Sequence, residues 1–169
     1  MKRRAFQESL EAIKPEQIVY VDECGLEESI CREYGRSKVG TLVQADITGK
    51  KTERTSLIAG LNQGKAFAPF YFTGYCNTEV VSLWVKEVLT PELKPGQTVI
   101  WDNATFHHAN EIQVLIEAAG CHLLFLPPYS PDLNPIEHYW AKLKSWIKRV
   151  RLGEQGIPEA LHEFFKTAH

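Results

Sequence analysis

The stretch Leu123 to Arg149, LLFLPPYSPDLNPIEHYWAKLKSWIKR, restricts the fold more than any other part of the chain. Its apolar start, Leu123 to Leu126, has the composition of a buried strand and is stopped by Pro127 and Pro128, neither of which can donate to a sheet ladder. Tyr129 to Leu133 then read as a turn-rich loop that feeds a helix. Asn134 suits the N-cap of that helix, Pro135 its first position, and Glu137 follows three residues after the cap. Ile136, Trp140, Leu143, Ile147 and Val150 recur at three- and four-residue spacing and make one buried stripe.

Two readings of Glu137 are open. Three residues after a cap, its carboxylate can reach back to the cap N–H and close a capping box that carries no chemistry. Its phase allows more, because it lies one residue, about 100°, from the buried stripe, and Lys144 and Lys148 fall within about 20° of it. An acid at the end of a basic track fits a group that works beside a phosphate backbone. A solvated face is the alternative.

The chain has 169 residues, one domain's worth, and its 44% hydrophobic and 11% aromatic content implies a folded core and excludes disorder. A net charge of −2 argues against a dedicated nucleic-acid binder, although Lys142, Lys144, Lys148, Arg149 and Arg151 cluster late in the helix. Cys24, Cys31, Cys76 and Cys121 form no CxxC pair and read as buried thiols in a reducing compartment; zinc binding with His108 and His122 is a weak alternative. No apolar run approaches the roughly 18 residues of a membrane span, and no signal peptide follows Lys2-Arg3-Arg4. A soluble, cytoplasmic protein with no membrane partner is expected.

Taken in order, residues 1–16 read as a short helix or a tail, and residues 17–169 as the domain. A strand from Ile18 to Val21 ends in Asp22, and Glu23 to Lys38 read as a loop. Strands are expected at about Gly40 to Ile47, Thr55 to Leu61 and Ala66 to Phe72, the last two joined as a hairpin. Asn77 announces a helix that Pro91 and Pro95 end, and a strand from Gln97 to Trp101 delivers Asp102. A helix from Asn110 to Ala119 closes on Gly120 before the strand Cys121 to Leu126, and Pro158 starts a last helix with Leu161, Phe164 and Phe165. Strands first, then β-α-β-α, imply a mixed sheet with a parallel part flanked by helices.

Active groups of parallel α/β sheets gather at the carboxyl ends of strands. If the strands that end in Asp22 and Asp102 are neighbours, their carboxylates lie side by side, and Glu137 can join them. For either aspartate alone, an ordinary strand-end turn is the competing reading. Three acids in one place repel unless a cation neutralises them, and an all-oxygen set suits Mg²⁺ or Mn²⁺. Two such ions could clamp the attacking and leaving oxygens of a phosphodiester.

Val21-Asp22-Glu23, Trp101-Asp102-Asn103-Ala104 with His107, and the run LLFLPPYSPDLNPIEHYWAKLK together resemble the catalytic domain of mariner-related bacterial insertion-sequence transposases over about residues 17–150. Between Asp102 and Glu137 lie 34 residues (137 − 102 − 1), similar to the spacing in that superfamily. The resemblance implies an RNase H-like fold, a mixed five-stranded sheet flanked by helices, with Asp22, Asp102 and Glu137 as catalytic metal ligands. It implies Asn103 and His107 beside the site, two Mg²⁺ or Mn²⁺ ions, and DNA element ends and target DNA as substrates. Asp132 is expected in a turn or cap and not as a fourth ligand, and Lys142, Lys144, Lys148 and Arg149 are the expected DNA contacts. Full-length relatives carry helix-turn-helix modules, and nothing of that kind precedes Asp22, so a catalytic half is expected, working as a homodimer on DNA or with a partner that carries the recognition half. The competing functions are a nuclease of the same fold that never joins strands, and a non-catalytic module that binds DNA or a partner subunit.

Overall fold

Strand β1, Ile18–Glu27, is the spine of the sheet. The computed structural model describes residues 2–27, 54–102, 110–150 and 156–167. Within them β1 pairs antiparallel with β2 (Arg54–Asn62) and parallel with β4 (Thr98–Trp101). Strand β3 (Lys65–Thr73) lies outside β2 and β5 (His122–Phe125) outside β4, giving the order β3-β2-β1-β4-β5. This is the mixed five-stranded sheet that the order of elements implies. The two-residue turn between β2 and β3 has positive φ at both Gln63 and Gly64, the twist that tight hairpins favour.

One boundary differs from the sequence reading. Asp22 does not end β1; the strand runs on through Glu23 to Glu27, expected as loop, and pairs with β2 as far as Glu27 opposite Arg54. The cause is a two-residue period, with Cys24 and Leu26 buried on the face that also carries Asp22. Acidic Asp22 and Glu23 and small Gly25 hide that period in the sequence. The strand expected at Gly40 to Ile47 lies outside the described residues.

Helices cover both faces. Helix α2 (Thr78–Trp84) is capped by Asn77, whose side chain accepts from the Val80 N–H at 2.9 Å, and continues through a wider π turn to Leu89. With α3 (Asn110–Ala118) it packs on the face formed by Val19, Val21, Val99 and Trp101. Gly120, at φ 73°, ends α3 as expected, and the Cys121 N–H bonds back to the Ile116 carbonyl. On the other face α4 (Ile136–Val150) and α5 (Ile157–Thr167) bury Ile136, Trp140, Leu143, Ile147, Ile157 and Leu161 against Leu57, Ala59 and Leu61. Of the expected α4 stripe only Val150 is not fully buried. Helix α1 (Lys2–Glu11) packs through Phe6 on Ile100 and Leu126, so residues 2–11 belong to the folded body. Among the described residues no helix is long and apolar enough to cross a membrane.

Candidate active site

Parallel pairing of β1 with β4 sets Ile18 opposite Thr98, an offset of 80 residues (98 − 18). Carried past the last paired residues, Tyr20 and Ile100, that offset brings Asp22 level with Asp102 (22 + 80). Side chains alternate across a strand. Val19 and Val21 face α2 and α3 together with Val99 and Trp101, so Asp22 and Asp102 share the opposite face. Two aspartates level on neighbouring parallel strands and on one face are the arrangement that the sequence left conditional on strand order.

Asp22, Asp102 and Glu137 line one cavity of about 450 Å³, closed by Leu126, Pro127, Pro128, Tyr129, Ser130, Pro131 and Asn134. Among the described residues, however, no three His, Cys, Asp or Glu side chains converge closely enough to hold one ion. Asn103, His107 and His108 lie outside the described residues. Asp22 is 9% exposed. Burial lifts its carboxyl to about 8; the neighbouring charges of Glu23 and Glu137 push the same way, while hydrogen bonds from the Glu23 backbone and from Trp140 oppose the shift. The Trp140 indole N–H donates to Asp22 Oδ2 at 3.0 Å, and Trp101 on the other face donates to Glu23 Oε1 at 3.2 Å.

The loop from Pro127 to Asn134 is held from both sides. Ser130, buried, donates to the Pro128 carbonyl at 3.2 Å, and Arg3 of α1 reaches Ser130 Oγ at 3.4 Å and both carboxylate oxygens of Asp132. Asp132 sits in the 3-10 turn Pro131–Leu133 and does not line the cavity, as expected of a turn residue. Tyr129, with φ 56° and 99% exposed, stands out at the rim.

The capping box, one of the two readings of Glu137, is not formed among the described residues. The Glu137 N–H bonds the Asn134 backbone carbonyl at 3.2 Å, but the Asn134 side-chain oxygen, in a residue only 4% exposed, has no hydrogen-bond partner among the described residues. The Glu137 carboxylate is exposed and makes no hydrogen bond among the described residues. Asn134 is one of the residues that line the cavity.

The basic residues divide. Lys142, Lys144 and Arg149 are exposed and Lys148 half-buried, and Lys144 lies beside the Cys24 thiol, which burial pushes up to about 11 against the pull of that ammonium. Cys24 and Cys121 are buried free thiols as expected, Cys76 is half-buried, and Cys31 lies outside the described residues. Sequence reasoning placed Trp140 in the core and Arg3 in a basic start; a tryptophan three residues after a candidate catalytic glutamate was the available signal for the first.

A mixed sheet with two level aspartates on its central parallel pair, helices on both faces and an acidic cavity at the strand ends defines an RNase H-like α/β domain. The chain belongs to the DDE superfamily endonuclease family, whose sequence model matches residues 17–155. Its fold is that of the mariner transposase catalytic domain. The crystal structure of the Mos1 mariner transposase catalytic domain superposes with a TM-score of 0.59 at 18% identity, covering 98% of this chain and 78% of that one. The Mos1 strand transfer complex gives 0.70 at 17% identity over 96% of this chain and 50% of that one, and the Mos1 paired-end complex with the left transposon end gives 0.68 at 16% identity over 98% and 52%. An uncharacterized protein of Sinorhizobium fredii, y4pE/y4sA, is 31% identical over 75 residues, 43% of this chain and 53% of that protein. The chain spans about half the length of this relative and of the Mos1 transposase in the two complexes.

Proposed function

We propose that the chain is the catalytic domain of a mariner-related transposase, which cleaves DNA strands at element ends and transfers them to target DNA with divalent cations held by Asp22, Asp102 and Glu137. The observation that carries this reading is that Asp22 on β1 and Asp102, just past the end of the neighbouring parallel strand β4, line one cavity with Glu137. The donor chemistry of that cavity fits Mg²⁺ or Mn²⁺: among the described residues its lining offers three carboxylates and the Asn134 side-chain oxygen, with no thiol or imidazole. Mos1 paired-end complexes with Mn and with Mg share the fold.

Two bound cations would supply Lewis-acid activation of the attacking and leaving oxygens of the phosphodiester. The protein's own part is positioning and charge placement, as in other phosphoryl transfers. Asp22 and Asp102 are fixed by the sheet and Glu137 by α4, so the three acids come from elements that the core locks. Lys142, Lys144, Lys148 and Arg149 would hold the DNA backbone along α4, with Asn103 and His107 beside the acids. Recognition of element ends would come from a second subunit or a separate recognition half, the chain acting as a homodimer on DNA or with that partner.

Nicking of supercoiled DNA in Mn²⁺ tests the reading. Wild type should nick, whereas Asp102→Asn and Glu137→Gln should lose at least about 100-fold in rate, since each loosens the cations that stabilise the transition-state charge. Wild-type rates in both variants would refute it. Joining of pre-cut ends separates a transposase from a nuclease: nicking without joining would assign the nuclease activity alone.

A further inference from the structure

Three buried tryptophans of this domain satisfy their indole N–H groups in different ways. Trp84 donates to a backbone carbonyl, that of Ala68, at 2.9 Å, which is what a core tryptophan needs and no more. Trp101 donates to Glu23 Oε1 on the face of α2 and α3. Trp140, 2% exposed, donates to Asp22 Oδ2, a carboxylate that lines the acidic cavity. An indole nitrogen can only donate, so this bond takes one lone pair of Asp22 Oδ2.

We infer that Trp140 is a positioning residue for Asp22: its N–H holds Oδ2 and so fixes how the carboxylate is presented to a cation. The inference rests on the metal reading above and deepens it. Trp140 follows Glu137 by three residues on α4, about 4.5 Å along the axis. The same rigid helix therefore delivers one acid to the cavity and orients another on β1. Trp101 and Trp140 together sort the adjacent acids of β1, Glu23 toward the α2 and α3 face and Asp22 toward the cavity. With one lone pair of Oδ2 taken by the indole, chelation through both oxygens is weakened relative to binding through one. That suits Mg²⁺ or Mn²⁺, which demand a near-octahedral shell of separate oxygens, and disfavours bidentate capture of Ca²⁺. The bond also strengthens in the low dielectric of a buried site and favours the ionised carboxylate.

The test uses the 169-residue chain and the melting temperature in EDTA and in rising Mn²⁺, which reports affinity without any turnover. Wild type is compared with Trp140→Phe and with a protein in which residue 140 is 3-benzothienylalanine, where sulfur replaces the N–H and the shape is kept. Should the phenylalanine variant not fold, the isostere alone decides. Partners that orient metal ligands are worth about 10- to 100-fold in affinity when removed. The isostere should therefore melt like wild type in EDTA, need about 10- to 100-fold more Mn²⁺ for the same rise, discriminate less against Ca²⁺, and regain nicking at saturating Mn²⁺. An isostere that follows the wild-type Mn²⁺ curve would overturn the inference and leave the metal site standing. A wild type with no Mn²⁺ response would overturn the metal reading itself.

Discussion

Asp22 is held in a conflict that protonation relieves. Burial first, then Glu23 and Glu137, lift its carboxyl to about 8 from an ordinary 3.8. Between those values the folded chain keeps a proton that the unfolded chain has released, so stability is greatest at low pH and falls as pH rises toward 8. Melts in EDTA at pH 5, 6.5 and 8 should show a declining melting temperature for wild type and a flatter profile for Asp22→Asn, which stays neutral throughout. Parallel profiles would show that Asp22 does not carry the effect. Glu137 behaves differently: with no capping box to lose, Glu137→Gln should leave stability within about 0.5 kcal/mol of wild type, as surface changes do. A loss of about 1 kcal/mol, typical of a broken cap, would restore the capping role.

At the scale of elements, much of the site was legible because its residues sit where strands and helices begin or end. Asp102 follows an apolar strand and Glu137 opens a helix with proline before it, signals that need no tertiary knowledge. Asp22 was recognisable as an acid after a β-branched run, but not as a mid-strand residue, because the buried partners Cys24 and Leu26 are separated by charged and small neighbours. Trp140 fitted the core period so well that its polar nitrogen went unread. The packing of α1 was also hidden: Phe6 is the one large apolar residue in its first turns, and what it meets, Ile100 and Leu126, lies about a hundred residues away (100 − 6 = 94; 126 − 6 = 120). That contact makes a forecast. Phe6→Ala should cost about 3 kcal/mol by leaving a void under β4. Arg3→Ala should cost far less, because the pair with Asp132 is exposed and exposed pairs contribute little. Urea midpoints of the two variants decide, and equal losses would contradict the view that α1 is held by burial.

Over the whole molecule, charge is distributed against the sign of the sum. The chain carries −2 overall, yet α4 holds Lys142, Lys144, Lys148 and Arg149 against one acid, Glu137. A helix that starts at the acidic cavity and becomes basic along its length can follow a phosphate backbone away from the scissile bond. Binding through such a track is dominated by counterion release, with no base readout from α4 itself. The expected outcome is weak binding to unrelated duplexes with similar affinities, falling steeply between about 50 and 200 mM salt. Each phosphate contact contributes about 0.9 to the slope of log K against log salt, so Lys142→Gln with Arg149→Gln should flatten the slope by roughly 1.8 if both touch DNA. Nicking of any residual complex should keep its dependence on Asp102 and Glu137 if, as proposed, the track places DNA and the acids act on it. Tight binding to one sequence at high salt, or a slope indifferent to the double substitution, would remove α4 from the DNA path and leave the cavity to be reached from another face.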